Sequence, residues 1–262
     1  MADYLGKFIW CELMTTDTAG AQAFYAKVVG WTARDSGMPG MAYTVLSAAG
    51  AGIGGMMALP KEACDAGARP GWAGYVAVGD ADEVAAAIEA AGGSIHKPPA
   101  DIPGIGRFSV VADPQGASFI IMRPIHPTGS EERPPAAPGT PGHVGWHELH
   151  TTDPEAGFAF YASQFGWTKG DAFDMGGPVG LYQLFATGDL SAGGIMKKME
   201  AFPRPFWLYY FNVDDIDAAV VRLAAAGGKV ANGPHQVPGG AWIVQSVDPQ
   251  GALFALVGPR LH

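Results

Sequence analysis

Cysteine is scarce in this chain: Cys11 and Cys64 are the only two among 262 residues. Two thiols cannot build a disulfide framework, so both are expected to be buried or free in a reducing compartment. Charge is also sparse, at 16% of residues, and unbalanced, with a net charge of −9. That balance argues against nucleic acid and anionic membrane surfaces as main partners. No stretch approaches 18 consecutive apolar residues, so no membrane span is expected. The start, Met1-Ala2-Asp3-Tyr4-Leu5, lacks the basic flank and apolar run of a signal peptide. Ile102-Pro103-Gly104-Ile105-Gly106 has no Lys-Ser or Lys-Thr after it, which excludes a phosphate loop, and there is no Gly-x-Ser-x-Gly elbow. These absences point to a soluble cytoplasmic protein and do not specify its partner. A hydrophobic content of 48% is ample for packed cores.

What is present is a long repeat. Trp10-Cys11-Glu12-Leu13-Met14-Thr15-Thr16-Asp17, followed by Phe24-Tyr25 and Gly30-Trp31, returns as Trp146-His147-Glu148-Leu149-His150-Thr151-Thr152-Asp153, Phe160-Tyr161 and Gly166-Trp167. Each pair lies 136 positions apart, as from Trp10 to Trp146. A repeat of this length is a duplicated fold unit. Residues 7–15 alternate as a strand, and Asp17 and Asp153 stand where helix N-caps belong, with Pro154 at the first helical position. Ala21, Phe24, Tyr25 and Val28 form one helical stripe, and Gly30 and Gly166 stop the helices. Short strands are expected at Trp31–Arg34, Ala42–Ser47 and Ile53–Ala58, then a linker from about Leu59 to Pro70.

A second β-α-β-β-β unit follows. Its strand is expected at Trp72–Val78 and its helix from Asp80 to Ala91, with Asp80 and Glu83 as a capping box. Gly92-Gly93 ends the helix. Further strands fall near Ser94–Lys97, Arg107–Ala112 and Ala117–Met122. Asp113-Pro114-Gln115-Gly116 has the residues of a type I turn and recurs as Asp248-Pro249-Gln250-Gly251. Gly54-Gly55 recurs as Gly193-Gly194, so a loop before it is longer in the second half. The expected class is α+β: four β-α-β-β-β units in two tandem domains, 1–125 and 142–262, joined by a Pro-rich linker over 126–141.

The Asp…Phe-Tyr…Gly-Trp segments, the Val-x-Asp-x-Asp helix starts at Val78 and Val213, and the Asp-Pro-Gln-Gly hairpins together resemble the vicinal oxygen chelate superfamily. That group holds glyoxalase I, extradiol dioxygenases and bleomycin-resistance proteins, and the resemblance covers nearly the whole chain. It implies that each half wraps a mixed sheet, helices outside, into a cup that holds the ligand. It also implies a divalent metal on His, Glu or Gln at set strand positions. Here those positions fall at Trp10, Trp146, Ala73, Leu208, Ile120 and Ala255, none of which binds such a metal. No cofactor is therefore expected. Bleomycin-resistance proteins of this group use the cup without a metal.

Glu12 and Glu148 each share a strand face with a Trp. A carboxylate in an apolar cup suits acid–base work, although a carboxylate anchored at a domain seam satisfies the same pattern. His150 shares the face of Glu148, and its counterpart is Met14, so the two cups differ. Trp10, Trp72, Tyr75, Met56, Met57, Trp146, Trp207, Tyr210 and Met196 are candidate walls for a flat ligand, and equally candidate sheet core. The leading expectation is a metal-free cup binding a small apolar or aromatic molecule. The alternative is a glyoxalase-type lyase using Glu12, Glu148 and His150, with a divalent metal at the Glu148–His150 pair. With four units in one chain, as against relatives that pair, a monomer is expected.

Overall fold

The computed structural model describes residues 4–65, 67–125 and 136–261. The first half runs β1 (Phe8–Thr15), α1 (Thr18–Val28), β2 (Thr32–Asp35), β3 (Tyr43–Ala48), β4 (Ala51–Ala58) and a short α2 (Lys61–Asp65). It continues with β5 (Gly71–Ala77), α3 (Ala81–Ala90), β6 (Ser94–Ile102), β7 (Gly106–Ala112) and β8 (Ser118–Pro124). The second half runs β9 (Val144–Thr151), α4 (Pro154–Phe165), β10 (Thr168–Asp174), β11 (Leu181–Thr187) and β12 (Leu190–Lys197). Then follow β13 (Phe206–Asn212), α5 (Ile216–Ala225), β14 (Lys229–Gln236), β15 (Trp242–Val247) and β16 (Leu253–Gly258). Four β-α-β-β-β modules are thus present.

Two eight-stranded mixed sheets result, in the orders β2-β3-β4-β1-β5-β8-β7-β6 and β10-β11-β12-β9-β13-β16-β15-β14. Within each module the first strand pairs parallel with the last, and the others pair antiparallel. The helices lie outside the sheets. Among the described residues no helix is long and apolar enough to cross a membrane.

The helix starts follow from the aspartates. The side chain of Asp17 accepts from the Gly20 N–H, Asp80 from Asp82 and Glu83, Asp153 from Glu155 and Ala156, and Asp215 from Ala218. Two expectations are corrected. The linker after Leu59 contains α2. Strand β6 runs past Lys97, through Pro98 and Pro99, to Ile102. It is an edge strand whose register slips between Ile95 and Lys97 and again before Ala100, which accommodates residues with no N–H to donate. Of the expected linker over 126–141, residues 126–135 lie outside the described residues.

The chain divides into two compact units that do not follow the repeat. One holds the described residues of 4–9, 73–125 and 146–207, the other those of 10–72, 136–145 and 208–261. Each unit therefore joins one module from each half. In one, α1 packs on α5, and in the other α3 packs on α4.

The same buried relay sits in both units. Trp72 Nε1 donates to the Tyr25 hydroxyl at 2.9 Å, and that hydroxyl donates to Asp248 Oδ2 at 3.1 Å. In the other unit Trp207 Nε1 donates to Tyr161 at 3.0 Å, and Tyr161 to Asp113 Oδ2 at 3.1 Å. The second carboxylate oxygen holds the Asp-Pro-Gln-Gly turn: Asp113 Oδ1 accepts from Gln115 and Ala117, and Asp248 Oδ1 from Gln250 and Ala252. Burial pushes both carboxyls up and holds the Tyr25 hydroxyl well above its ordinary range. A second repeated bond accompanies each relay. Trp31 Nε1 donates to the Gly142 carbonyl and Trp167 Nε1 to that of Gly6, both at 2.7 Å. Both glycines have positive φ, and a Cβ would lie 2.6 Å from Ala48 Cβ at Gly142 and 2.6 Å from the Phe165 carbonyl oxygen at Gly6.

Tyr25→Phe and Tyr161→Phe each strand a buried indole N–H and a buried carboxylate oxygen. Each is expected to cost about 1–3 kcal/mol, measured as a lower urea midpoint with an unchanged slope. A loss below about 0.5 kcal/mol for either would show that its relay is not a main tie of the unit.

Candidate functional site

On β9, Leu149 and Thr151 point toward α4, where a Cβ on Gly157 would meet both side chains. Alternation therefore sends Trp146, Glu148 and His150 to the other face, and Trp10, Glu12 and Met14 on β1 are their counterparts. Glu12 and Glu148 are each 5% exposed and His150 is 3% exposed.

A chain of donors ends on each carboxylate. In the second half Trp146 Nε1 donates to the Tyr182 hydroxyl at 2.7 Å, which donates to Glu148 Oε2 at 2.8 Å. In the first, Trp10 Nε1 donates to the Tyr43 hydroxyl at 3.0 Å, and that hydroxyl bonds Glu12. Burial first, and the facing carboxylate second, hold both tyrosine hydroxyls far above their ordinary range, so each stays a donor.

Glycine makes the crossing possible. Gly55 on β4 lies in register with Glu12, and Gly194 on β12 with Glu148. A Cβ at either would collide with the ring of Tyr43 or Tyr182. The bare strand lets a tyrosine from the neighbouring strand reach over it to the carboxylate.

The second site has a further member. His150 Nε2 lies 2.7 Å from Glu148 Oε1, so both oxygens of Glu148 are engaged. The imidazole stacks on Phe206 at 4.5 Å with 6° between the planes, and Phe202 tilts 4.7 Å from Phe206. His150 Nδ1 is buried with no hydrogen-bond partner among the described residues.

Met196 lies in register with His150 on this face. Met56 lies opposite Leu13, on the helix side, and its neighbour Met57 is the residue opposite Met14. Trp72 and Trp207 also point to the helices. Trp72 packs edge-on against Tyr25, Trp31 and Phe211, and Trp207 against Tyr161, Trp167 and Phe185. Tyr75 and Tyr210, three residues further on, take the opposite strand face. Tyr210 accepts a bond from Gln245, and Tyr75 is buried. The wall residues expected from sequence thus divide between two faces. An open groove of about 370 Å³ lies elsewhere, lined by Phe158, Lys169, Leu181 and Lys197 among others, and includes none of the expected residues.

Tyr43, Tyr182, Phe202 and Phe206 were not singled out by sequence. A signal existed for the tyrosines, since Tyr43 and Tyr182 are separated by the same 139 positions as Gly55 and Gly194.

Position 11 and its counterpart 147 face the helix side. Cys11 Sγ lies 3.6 Å from the Ile53 carbonyl, and burial pushes its thiol far up, so it is no nucleophile. His147 makes the equivalent contact, Nδ1 to the Ala192 carbonyl at 2.9 Å, and stacks on Phe8 at 4.0 Å. Burial lowers its pKa to about 4.

A metal does not fit these side chains. Among the described residues no group of three or more His, Cys, Asp or Glu comes together. Glu148 and His150 supply two donors, which bind each other, where a catalytic metal needs three protein ligands.

Four β-α-β-β-β modules with a paired strand site define a glyoxalase-type protein. The model of the Glyoxalase/Bleomycin resistance protein/Dioxygenase superfamily matches residues 7–121 and 140–256, and the chain belongs to that superfamily. "Putative glyoxylase CFP32" of Mycobacterium bovis is 32% identical over 253 residues, covering 95% of this chain and 94% of that protein. Anthracycline biosynthesis protein DauV of Streptomyces sp. (strain C5) is 33% identical over 265 residues, covering 96% and 92%. In structure, the Mn(II)-bound glyoxalase of Novosphingobium aromaticivorans matches with a TM-score of 0.64 at 17% identity, over 97% of this chain and 82% of that one. A 2,2',3-trihydroxybiphenyl 1,2-dioxygenase of Sphingomonas wittichii strain RW1 matches at 0.66 and 12%, over 97% and 90%. These two likenesses establish the fold.

His147 gives the protein an acid limb. Its pKa falls from 6.5 unfolded to about 4 folded, so the unfolded chain binds the proton first. The stabilisation is complete above pH 6.5 and is lost as pH falls through 4, by up to ~3 kcal/mol. His147→Cys, which restores the residue of the first copy, is expected to flatten stability between those pH values in denaturant titrations. A wild-type limb unchanged by the substitution would assign the acid sensitivity to other groups.

Proposed function

We propose that this protein binds a planar, hydroxylated aromatic molecule against Trp10–Tyr43–Glu12 and Trp146–Tyr182–Glu148, with no resident metal. The supporting observation is the Trp→Tyr→Glu chain built twice, on the same face of the first strand of each half. An indole offers a flat apolar surface, and a buried carboxylate offers an acceptor for a ligand O–H. A tyrosine locked as donor keeps that carboxylate oriented. Two relatives at 33% identity are named anthracycline biosynthesis proteins, which accords with a polycyclic aromatic ligand. Both cysteines are free, in keeping with a reducing, cytoplasmic setting.

The test is tryptophan fluorescence during titration with 1,4-dihydroxyanthraquinone. Saturable quenching is expected. Tyr182→Phe and Glu148→Gln should each weaken one binding phase about tenfold, equivalent to about 1.4 kcal/mol, and Glu12→Gln the other. Quenching that never saturates in the wild type would remove this reading.

We also infer that the chain acts as a monomer, since each compact unit already joins two modules. Sedimentation at micromolar concentration is expected to give one species of 27.2 kDa. A stable dimer would contradict this.

A further inference from the structure

The two sites differ at one strand position. Met14 stands in the first where His150 stands in the second. A thioether cannot take up a proton, and an imidazole can.

The second site fixes which nitrogen is available. A neutral imidazole carries a proton on one nitrogen and a lone pair on the other. His150 Nε2 faces a carboxylate oxygen at 2.7 Å, so Nε2 is the protonated nitrogen and Nδ1 bears the lone pair. The Tyr182 hydroxyl donates to the other oxygen of Glu148, which keeps that carboxylate an acceptor. The parallel Phe206 ring holds the imidazole plane. Nδ1 is then a buried acceptor left without a donor, which folded proteins rarely tolerate unless the group has a use.

We propose that His150 Nδ1 is the proton acceptor for an acidic hydroxyl of the ligand, with Glu148 as its positioning residue. The inference rests on the ligand reading above and narrows it to phenols and hydroxyquinones. The ligand O–H bond breaks, and its electron pair stays on oxygen as a phenolate. The proton forms a new Nδ1–H bond. The resulting imidazolium is neutralised by Glu148 through the Nε2–H contact, as a carboxylate steadies imidazolium in other acid–base sites. No oxidant, reductant or co-reactant is required. Phe202, half-buried, has its ring 6.3 Å from that of His150. The first site, with Met14, binds the same ligand without ionising it. The duplication has therefore separated one ionising site from one that only binds.

The experiment uses the full chain and two probes. Binding of 1,4-dihydroxyanthraquinone is read by tryptophan quenching, and its ionisation by the red shift of its visible band. The expected result is quenching with a red shift in the wild type, and quenching without the shift in His150→Met. 1,4-Dimethoxyanthraquinone, which has no proton to give, should quench without a shift in both. Quenching with no shift in the wild type, or a shift that survives His150→Met, overturns the inference while leaving the binding reading intact. Nitrogen-15 NMR of the neutral His150 imidazole in the wild-type protein tests the same claim without any ligand. A protonated Nε2 with a bare Nδ1 on His150 is expected. A proton on Nδ1 overturns the inference even if the anthraquinone fails to bind, an outcome that would sink the ligand reading separately.

Discussion

Two buried tyrosine hydroxyls carry the architecture. Tyr25 and Tyr161 each receive a hydrogen bond from a strand tryptophan and pass one to an aspartate of a distant turn. The spacing along the chain is large, 223 residues between Tyr25 and Asp248. The bond therefore ties a module of the first half to one of the second. In water such a bond would contribute little, but the indole, hydroxyl and carboxylate are all removed from solvent, so each member left alone carries a desolvation penalty. The aspartates must also hold their own turns, which keeps the relay and the last hairpin of each unit in one network.

That constraint assigns the two faces of each first strand. The helix-facing side is committed to packing: Leu13 and Leu149, the Trp72 and Trp207 clusters, and the carbonyl contacts of Cys11 and His147. The other side carries the polar chain. Glu12 and Glu148 hang on it with their tyrosines, and a glycine on the adjacent strand opens the path. Both faces differ between the copies: Cys11 is exchanged for His147 on the packing side, and Met14 for His150 on the other. Trp10 and Trp146, which stand where the family resemblance leads one to expect metal ligands, begin the donor chains.

Much of this was legible in the sequence. Aspartate caps, Gly-Trp stops and the Asp-Pro-Gln-Gly turns are local signals with fixed offsets, and they placed the modules correctly. That Glu12, Glu148 and His150 share a strand face with a tryptophan was legible from strand alternation. Trp72 and Tyr75 were grouped together although three residues separate them, and an odd spacing puts them on opposite faces. Met56 and Met57 were grouped in the same way, but adjacent residues face opposite sides, and register with β1 sets Met57 opposite Met14. The pairing of modules across the halves leaves no local mark, because the Tyr25–Asp248 bond joins two motifs that each make sense alone. The tyrosines of the site escaped notice because their bond crosses a strand, although their spacing matched that of the paired glycines.

The account turns on side chains of this chain, without a metal, holding the ligand. The most direct measurement is binding of 1,4-dihydroxyanthraquinone before and after stripping the protein with a chelator, with elemental analysis of both samples. The account predicts saturable quenching of unchanged affinity and no stoichiometric metal. Binding abolished by stripping and restored by one equivalent of manganese would contradict it.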